Sequence, residues 1–363
     1  MRQADEILPW NVTNISWRPF PGFFSFNPSI HFDPTIGLWR CLMRNADYSA
    51  PHGIVQANMR KGGRIQTRNV MAVLDPDTWR AASLYEMHEH DGLARNAQAS
   101  AQGFEDLRLF RTERDGLVAI ATAMMLRPAP EQKQEMVLLR LDDEYNVIAA
   151  EPIRGPWNDV PQKNWAPFDG ALGIQFLYSI ERGIVFNAQG PVISPVIVPA
   201  PLPAKVVTDR SGGIRYNGGV ETRMITKPRP MERADGTNSM PREVRAVKSD
   251  WSSPGLRGGS QLIAIGDDRW LGIGHKMQWF GGKKNYWHVW FTCTGQGRLL
   301  DQSEPIKLSK CGIEFAAGLA LEEGSDRLVV SYGTEDLDSW LAVTELSAVL
   351  EKLEPIEQKE AVA

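Results

Sequence analysis

Residues 103–124 read GFEDLRLFRTERDGLVAIATAM. A polar cluster, Gly103-Phe104-Glu105-Asp106, leads into the hydrophobic run LRLF; Asp115-Gly116 turns the chain, and LVAIATAM brings it back. Two hydrophobic runs joined across an Asp-Gly turn read as a β-hairpin. An antiparallel hairpin returns to the end where it began, so the polar residues that flank it on both sides lie together.

Four further stretches repeat this grammar. One runs from Phe26-Asn27-Pro28-Ser29 through a turn at Asp33–Gly37 and back through LWRCLM to Arg44. Another opens at Lys163-Asn164-Trp165-Ala166-Pro167-Phe168, turns near Asp169-Gly170 and returns through IQFLYSI to Glu181-Arg182. A third opens at Arg257-Gly258-Gly259-Ser260, turns at Gly266-Asp267-Asp268 and returns as WLGIG, ending its strand at His275. The last starts near Gly318, turns at Gly324-Ser325-Asp326 and returns as LVVSYG to Asp336. A hairpin unit repeated along a chain predicts a solenoid or propeller over a sandwich. Five units predict an all-β, five-bladed β-propeller over residues 1–346, with uneven spacing taken up by loops, the longest around 191–245, and a C-terminal tail over 347–363.

Composition narrows the function classes. A net charge of −4 gives no global attraction for nucleic acid. The opening MRQADEILPW lacks the charged and apolar regions of a secretory signal, and no stretch is long and apolar enough to span a membrane, so a cytoplasmic protein without membrane insertion is expected. Three cysteines, Cys41, Cys293 and Cys311, have no metal-like spacing and read as reduced thiols packed in strands. No metal and no cofactor are expected. Of the tryptophans, Trp39, Trp270 and Trp290 lie inside strands and read as core; Trp165, beside a polar opening cluster, reads equally as core or as a platform on which a sugar ring stacks.

In a propeller the opening ends of the innermost strands face one side of the disc. The repeat therefore gathers Asn27, Asp106, Lys163 and Arg257 from opening ends with Arg44, Arg182, His275 and Asp336 from returning ends. Asp106 is the sharpest candidate for chemistry. Strand alternation puts it on the same face as Arg108, which would hold the carboxylate, while a partly dry channel would raise its pKa toward general-acid duty. From spacing alone, a structural Asp–Arg pair is the plainer reading. Asp336 reads either as a turn cap or as an acceptor for sugar hydroxyls, with Glu335 and Asp338 close by. His275 with Arg257, and Arg182 with Lys163, read as anion-binding pairs.

At these residues the sequence resembles the five-bladed propellers of the mannoside phosphorylases, glycoside hydrolase family 130, and their glycosyltransferase relatives. Asn27-Pro28 resembles the family's opening of the first blade, and Gly103–Arg108 its Gly-x-Glu-Asp-Pro-Arg motif. Trp270–His275 resembles its Gly-Trp-Leu-x-x-Tyr-His strand, and Tyr332–Asp336, with Ala342, its closing Tyr-Gly-x-x-Asp. The resemblance implies Asp106 as the catalytic general acid and Asn27 and Asp336 in the sugar site, which Arg44, Glu105, Lys163 and Trp165 extend as substrate-binding candidates. His275, Arg182 and Arg257 become candidate phosphate ligands. Leu107 replaces the motif's proline, and Arg257–Gln261 departs from the phosphorylase lysine-glycine segment. The expected activity is that of an inverting glycoside phosphorylase or hydrolase on an oligosaccharide or glycoside, mannosides or related sugars first. Inorganic phosphate is one co-substrate. A sugar-nucleotide-dependent glycosyltransferase and a non-catalytic sugar-binding module are the alternatives, and a homo-oligomer stays open.

Overall fold

A computed structural model describes residues 10–51, 54–57, 64–89, 96–97, 99–126, 134–153, 163–181, 183–187, 255–280, 283–309 and 312–356. Arg182, Cys311, the loop expected around 191–245 and the tail beyond Ile356 lie outside the described residues.

The chain folds as a five-bladed β-propeller. Blade one is Phe24–Asp33, Leu38–Ala46, Ile65–Leu74 and Ala81–Met87; blade two is Glu105–Thr112, Gly116–Ala123, Glu135–Leu141 and Val147–Pro152. Blade three has Ala166–Gly170, Gly173–Ser179 and Ile184–Asn187 among the described residues. Blade four pairs two short inner pieces, Arg257–Gly258 and Ile263–Gly266, with Arg269–Phe280, then adds Lys283–Cys293 and Leu299–Gln302. Blade five is Glu314–Leu321, Arg327–Thr334 and Asp338–Glu345. The five hairpins expected from the sequence are the first two strands of each blade. The intervals between them, expected as loops, hold the outer strands.

Two blades are completed from a distance. Asn11–Asn14 pairs antiparallel with Asp338–Glu345, so an early segment supplies the outer strand of the last blade and fastens the ring. The expected tail forms the helix Leu346–Leu350 and the short strand Glu354–Pro355, which docks on Leu299–Gln302 of blade four.

Every blade is covered on both faces, and the core is therefore divided among the interfaces. One buried cluster lies between each neighbouring pair: Trp39, Cys41 and Met43 against Val329 and Leu341; Leu42 and Met71 against Leu107, Leu109 and Val137. Trp165 and Phe176 meet Phe110 and Ile120, Phe168 and Leu177 meet Leu262 and Phe291, and Trp290 meets Leu319 and Val330. Each such large side chain contributes about 1.5–3 kcal/mol on burial. Cys41 and Cys293 are buried free thiols within these strands.

Around the axis the inner strands are tied by polar bonds. The Ser29 hydroxyl accepts from the Leu109 N–H (2.8 Å), and Gln261 donates to the carbonyls of Ile30 (3.0 Å) and Leu319 (2.6 Å). The hairpin turns gather at one mouth, where a depression of about 500 Å³ is lined from all five blades, Phe32, Arg111, Asp169, Ala264 and Glu322 among them. The opening ends face the other mouth.

Candidate active site

Backbone strain marks that second mouth. Non-glycine residues with positive φ include Asn27 (49°), Asp106 (49°), Asn164 (61°), Glu335 (55°) and Asp336 (46°), drawn from blades one, two, three and five. Such conformations cost free energy and persist only where the surroundings enforce them. In blades one and two the cause is a bulge. The pairing skips a residue between Phe26 and Ser29 and again between Glu105 and Arg108, so Asn27-Pro28 and Asp106-Leu107 occupy matching positions. The bulge turns Asn27 and Asp106 out of strand alternation and toward each other: Asn27 Nδ2 donates to Asp106 Oδ1 at 2.8 Å.

Gly333 makes room for this corner. A Cβ there would stand 2.3 Å from Asn27 Oδ1 and 2.5 Å from its backbone nitrogen. Gly333→Ala is therefore expected to displace the Asn27 backbone and loosen its bond to Asp106, lowering turnover about tenfold or more and costing about 1–3 kcal/mol of stability; paired kinetic and thermal measurements check this.

Arg44, on the return strand of blade one, is the centre of the cluster. Its side chain is 2% exposed; Nη1 donates to Asp106 Oδ1 at 2.8 Å, and Nη2 lies 3.3 Å from Glu105 Oε2. The guanidinium is stacked over Phe26 (4.9 Å) and Tyr48 (5.5 Å), which fixes its plane. Asp336 adds a third carboxyl within the field of Arg44.

Here the sequence expectation needs correction. Arg108 does not hold the Asp106 carboxylate: its Nη1 donates to the backbone carbonyl of Asp106 (2.6 Å), Nε to that of Gly259 (2.8 Å) and Nη2 to Asn164 Oδ1 (3.1 Å). It ties blades two, three and four beneath the site. The alternation argument failed at the bulge.

The three carboxyls are driven apart electrostatically. Burial alone would raise Asp106, but Arg44 and Arg108, the Asn27 hydrogen bond and Lys163 together hold it below the usual carboxylate range. The expected upward shift of Asp106 is thus reversed. Glu105 is raised, by burial first and then by Asp106, against the pull of Arg44 and Lys163. Asp336 is pushed up to about 6 by burial, opposed by Arg44, with Asp106 and Glu105 adding to the rise. Below about pH 6 the trio therefore keeps a proton, and it rests away from Asp106.

Its neighbours in the turn are otherwise engaged. Glu335 Oε1 accepts from the Ile313 N–H (3.0 Å), and Asp338 Oδ1 accepts from Ser16 Oγ (3.3 Å) and Arg18 (3.3 Å). Of the three acidic residues in that turn, Asp336 is the one that joins the cluster.

On the fourth side of the mouth, His275 does not end its strand. It stands in the middle of Arg269–Phe280, opposite both Arg257 and His288, and is 1% exposed. Its ring stacks on Tyr286 (5.1 Å) and meets Phe315 edge-on (5.2 Å). Burial, then Arg257, Arg108 and Lys163, lower its pKa to about 3, so it is a neutral ring and supplies no cationic charge to an anion. Arg257 and Lys163, both exposed, are cations whose charges reach this side of the mouth. Trp165 is 2% exposed, its ring among Phe176 (5.8 Å), Tyr178 (5.9 Å) and Phe186 (4.8 Å), so both its faces are taken by protein. The sugar-platform half of its reading falls.

Tyr48, Tyr286 and Lys284 were not among the site residues expected from sequence. Tyr286 and Lys284 sit in strand Lys283–Cys293, of which the sequence reading placed only Trp290 in a strand; Tyr48 follows the strand Leu38–Ala46 directly after Asp47. An aromatic immediately beyond a returning strand was the available signal.

No protein-family model matches the chain, and no curated protein matches it. Solved structures do. A candidate glycoside hydrolase from Parabacteroides distasonis superposes with a TM-score of 0.52 at 13% identity, covering 93% of this chain and 96% of that one. A glycosyl hydrolase from Bacteroides ovatus gives 0.51 at 12% identity over 92% and 86%. The β-1,2-mannobiose phosphorylase of Listeria innocua, in complex with β-1,2-mannobiose, gives 0.49 at 14% identity over 97% and 98%. The chain shares the fold of the first two along nearly its whole length, at a sequence distance where fold is what the likeness shows.

Proposed function

We propose that the protein is a carbohydrate-active enzyme that makes or breaks a glycosidic bond, as an inverting glycoside phosphorylase or hydrolase on mannosides or related sugars. The observation that carries this reading is the convergence of Glu105 and Asp106 from blade two and Asp336 from blade five around the buried Arg44 of blade one at one channel mouth, with Asp106 and Asp336 held at strained positive φ. A purely structural channel has no need to hold three carboxyls near one cation. The fold shared with solved glycoside hydrolases agrees with it.

Breaking the bond requires a nucleophile at the anomeric carbon and a proton on the departing oxygen. Asp106 is the carboxyl that handles that proton. Ionised at rest, it takes up the proton held on Asp336 through a bridging sugar hydroxyl or water, leaving Asp336 a carboxylate, and passes that proton to the departing oxygen. Asn27 fixes the Asp106 oxygen, while Glu105 and Asp336 accept from sugar hydroxyls. An attacking phosphate would meet Arg257 and Lys163; neutral His275, its one N–H engaged by the Gly258 backbone, shapes the wall without adding charge.

Incubation with β-linked manno-oligosaccharides plus phosphate tests this. Phosphate-dependent release of a sugar 1-phosphate is expected; free sugar without phosphate marks the hydrolytic form. No product from a broad glycoside panel, with sugar transferred instead from a sugar nucleotide, would replace the reading by glycosyl transfer.

The pH dependence has a defined sign. Asp336 binds its proton in the folded protein up to about pH 6, above its ordinary value. Cleavage is therefore expected to decline as pH rises through about 6, and Asp336→Asn to leave a low rate that is flat there. The stability contributed by the raised pKa is full below the ordinary carboxylate range and lost as pH rises through about 6, so Asp336→Asn gains on wild type in melting temperature above that point.

A further inference from the structure

The long hairpin of blade four, Arg269–Phe280 with Lys283–Cys293, runs past His275 toward its own tip. Alternation places His275, Met277 and Trp279 on one face, opposite His288, Tyr286 and Lys284. This face looks at the carboxyl cluster: Tyr286 feels the charges of Asp336 and Asp106, and Asp336 feels that of Lys284. At its outer end stands Trp279, 60% exposed, with Lys284 Nζ 5.6 Å from the ring centroid. Among the described residues its indole is the exposed aromatic ring on the site-facing side of the hairpin, and the four-residue step from His275 puts it roughly 13 Å further out.

We infer that Trp279, with Lys284 beside it, is an outer sugar subsite, a stacking platform for a pyranose ring beyond the two that flank the scissile bond. The inference rests on the glycoside reading of the inner mouth. The open indole face matches the apolar C–H face of a pyranose, while the ammonium offers donors to its hydroxyls. With the ring roughly 13 Å along the strand beyond His275, a chain longer than a disaccharide is the ligand expected to span from the inner mouth to it. The sugar platform thus belongs to Trp279, outside the core, in place of Trp165 within it.

Calorimetric titration of wild type, Trp279→Ala and Trp279→Phe with manno- and gluco-tetraoses and the matching disaccharides tests this without requiring turnover. The expected result is that one tetraose binds wild type about tenfold more tightly than its disaccharide, a gain of ~1.4 kcal/mol. Trp279→Ala should abolish the gain, Trp279→Phe should keep most of it, and disaccharide affinity should not change. A tetraose gain that survives Trp279→Ala, or no chain-length gain across the panel, overturns the subsite. A gain lost in Trp279→Ala in a protein that turns over no glycoside would leave the subsite standing and remove the enzyme reading.

Discussion

Replacing Asp106 by asparagine is expected to lower kcat on the proposed glycoside substrate by about 10²–10⁴-fold while leaving sugar affinity within a few-fold of wild type. The substitution is close to isosteric. An amide oxygen at position 106 can still accept from Asn27 Nδ2 and Arg44 Nη1, so the corner that joins blades one and two is retained. What disappears is the carboxyl's capacity to exchange a proton. A second consequence follows from the coupling: the Asp106 charge helps raise Asp336, so its removal lets Asp336 titrate lower, and the alkaline limb of any residual activity moves to lower pH. Steady-state kinetics across pH, with binding measured separately, check both points. If Asp106→Asn lowers affinity and leaves turnover of the bound sugar unchanged, the residue positions substrate and does no chemistry.

The second large effect concerns stability. Arg44→Met removes the buried cation that Glu105, Asp106 and Asp336 share, leaving carboxylates with side-chain exposures of 14% for Glu105 and 19% for Asp106 facing one another. Breaking a buried ion pair from one side costs about 3–5 kcal/mol, and that loss is expected near neutral pH. Its pH dependence is distinctive. With Arg44 present, Asp106 has a depressed pKa, so its contribution to stability exists above the ordinary carboxylate range and is lost as pH falls through the folded value. In the variant all three carboxyls are raised, so acidification neutralises the repulsion and the gap from wild type narrows as pH falls. Chemical denaturation from pH 4 to 8 measures the gap. A deficit that is constant with pH would mean that Arg44 acts through its packing between Phe26 and Tyr48 alone.

The fold was legible wherever local chemistry specified it. Asp33 accepts from the backbone N–H (3.0 Å) and the hydroxyl (2.5 Å) of Thr35, and Gly37 has φ +64°, so that hairpin turn is written in the residues that build it. The outer strands were hidden for different reasons. Asn11–Asn14 is polar and largely exposed; nothing local makes NVTN a strand, and only its pairing with Asp338–Glu345 does. Glu354–Pro355 is equally dependent on its partner in blade four.

The candidate site was legible as a convergence and misread in its bonds. Hairpin geometry brings Asn27, Arg44, Asp106 and Asp336 to one mouth. Strand alternation then gave Asp106 the wrong arginine, because a bulge with φ 49° lies between Asp106 and Arg108, and a two-residue period does not survive a bulge. His275 was given charge and a strand end because polar Lys276 follows it. In fact the strand leaves the body of the blade and continues to Phe280, and burial discharges the ring. The identity of a tryptophan says nothing about which of its faces are covered; Trp165 and Trp279 differ in what packs around them.

The crystal structure of the Asp106→Asn variant soaked with a manno-oligosaccharide and phosphate tests the central claim most directly. The expected map shows a sugar ring at the inner mouth, hydrogen-bonded to position 106 and to Asp336, with an anion beside Arg257. Sugar bound at the opposite mouth, or an inner mouth left empty at saturating oligosaccharide, would contradict it.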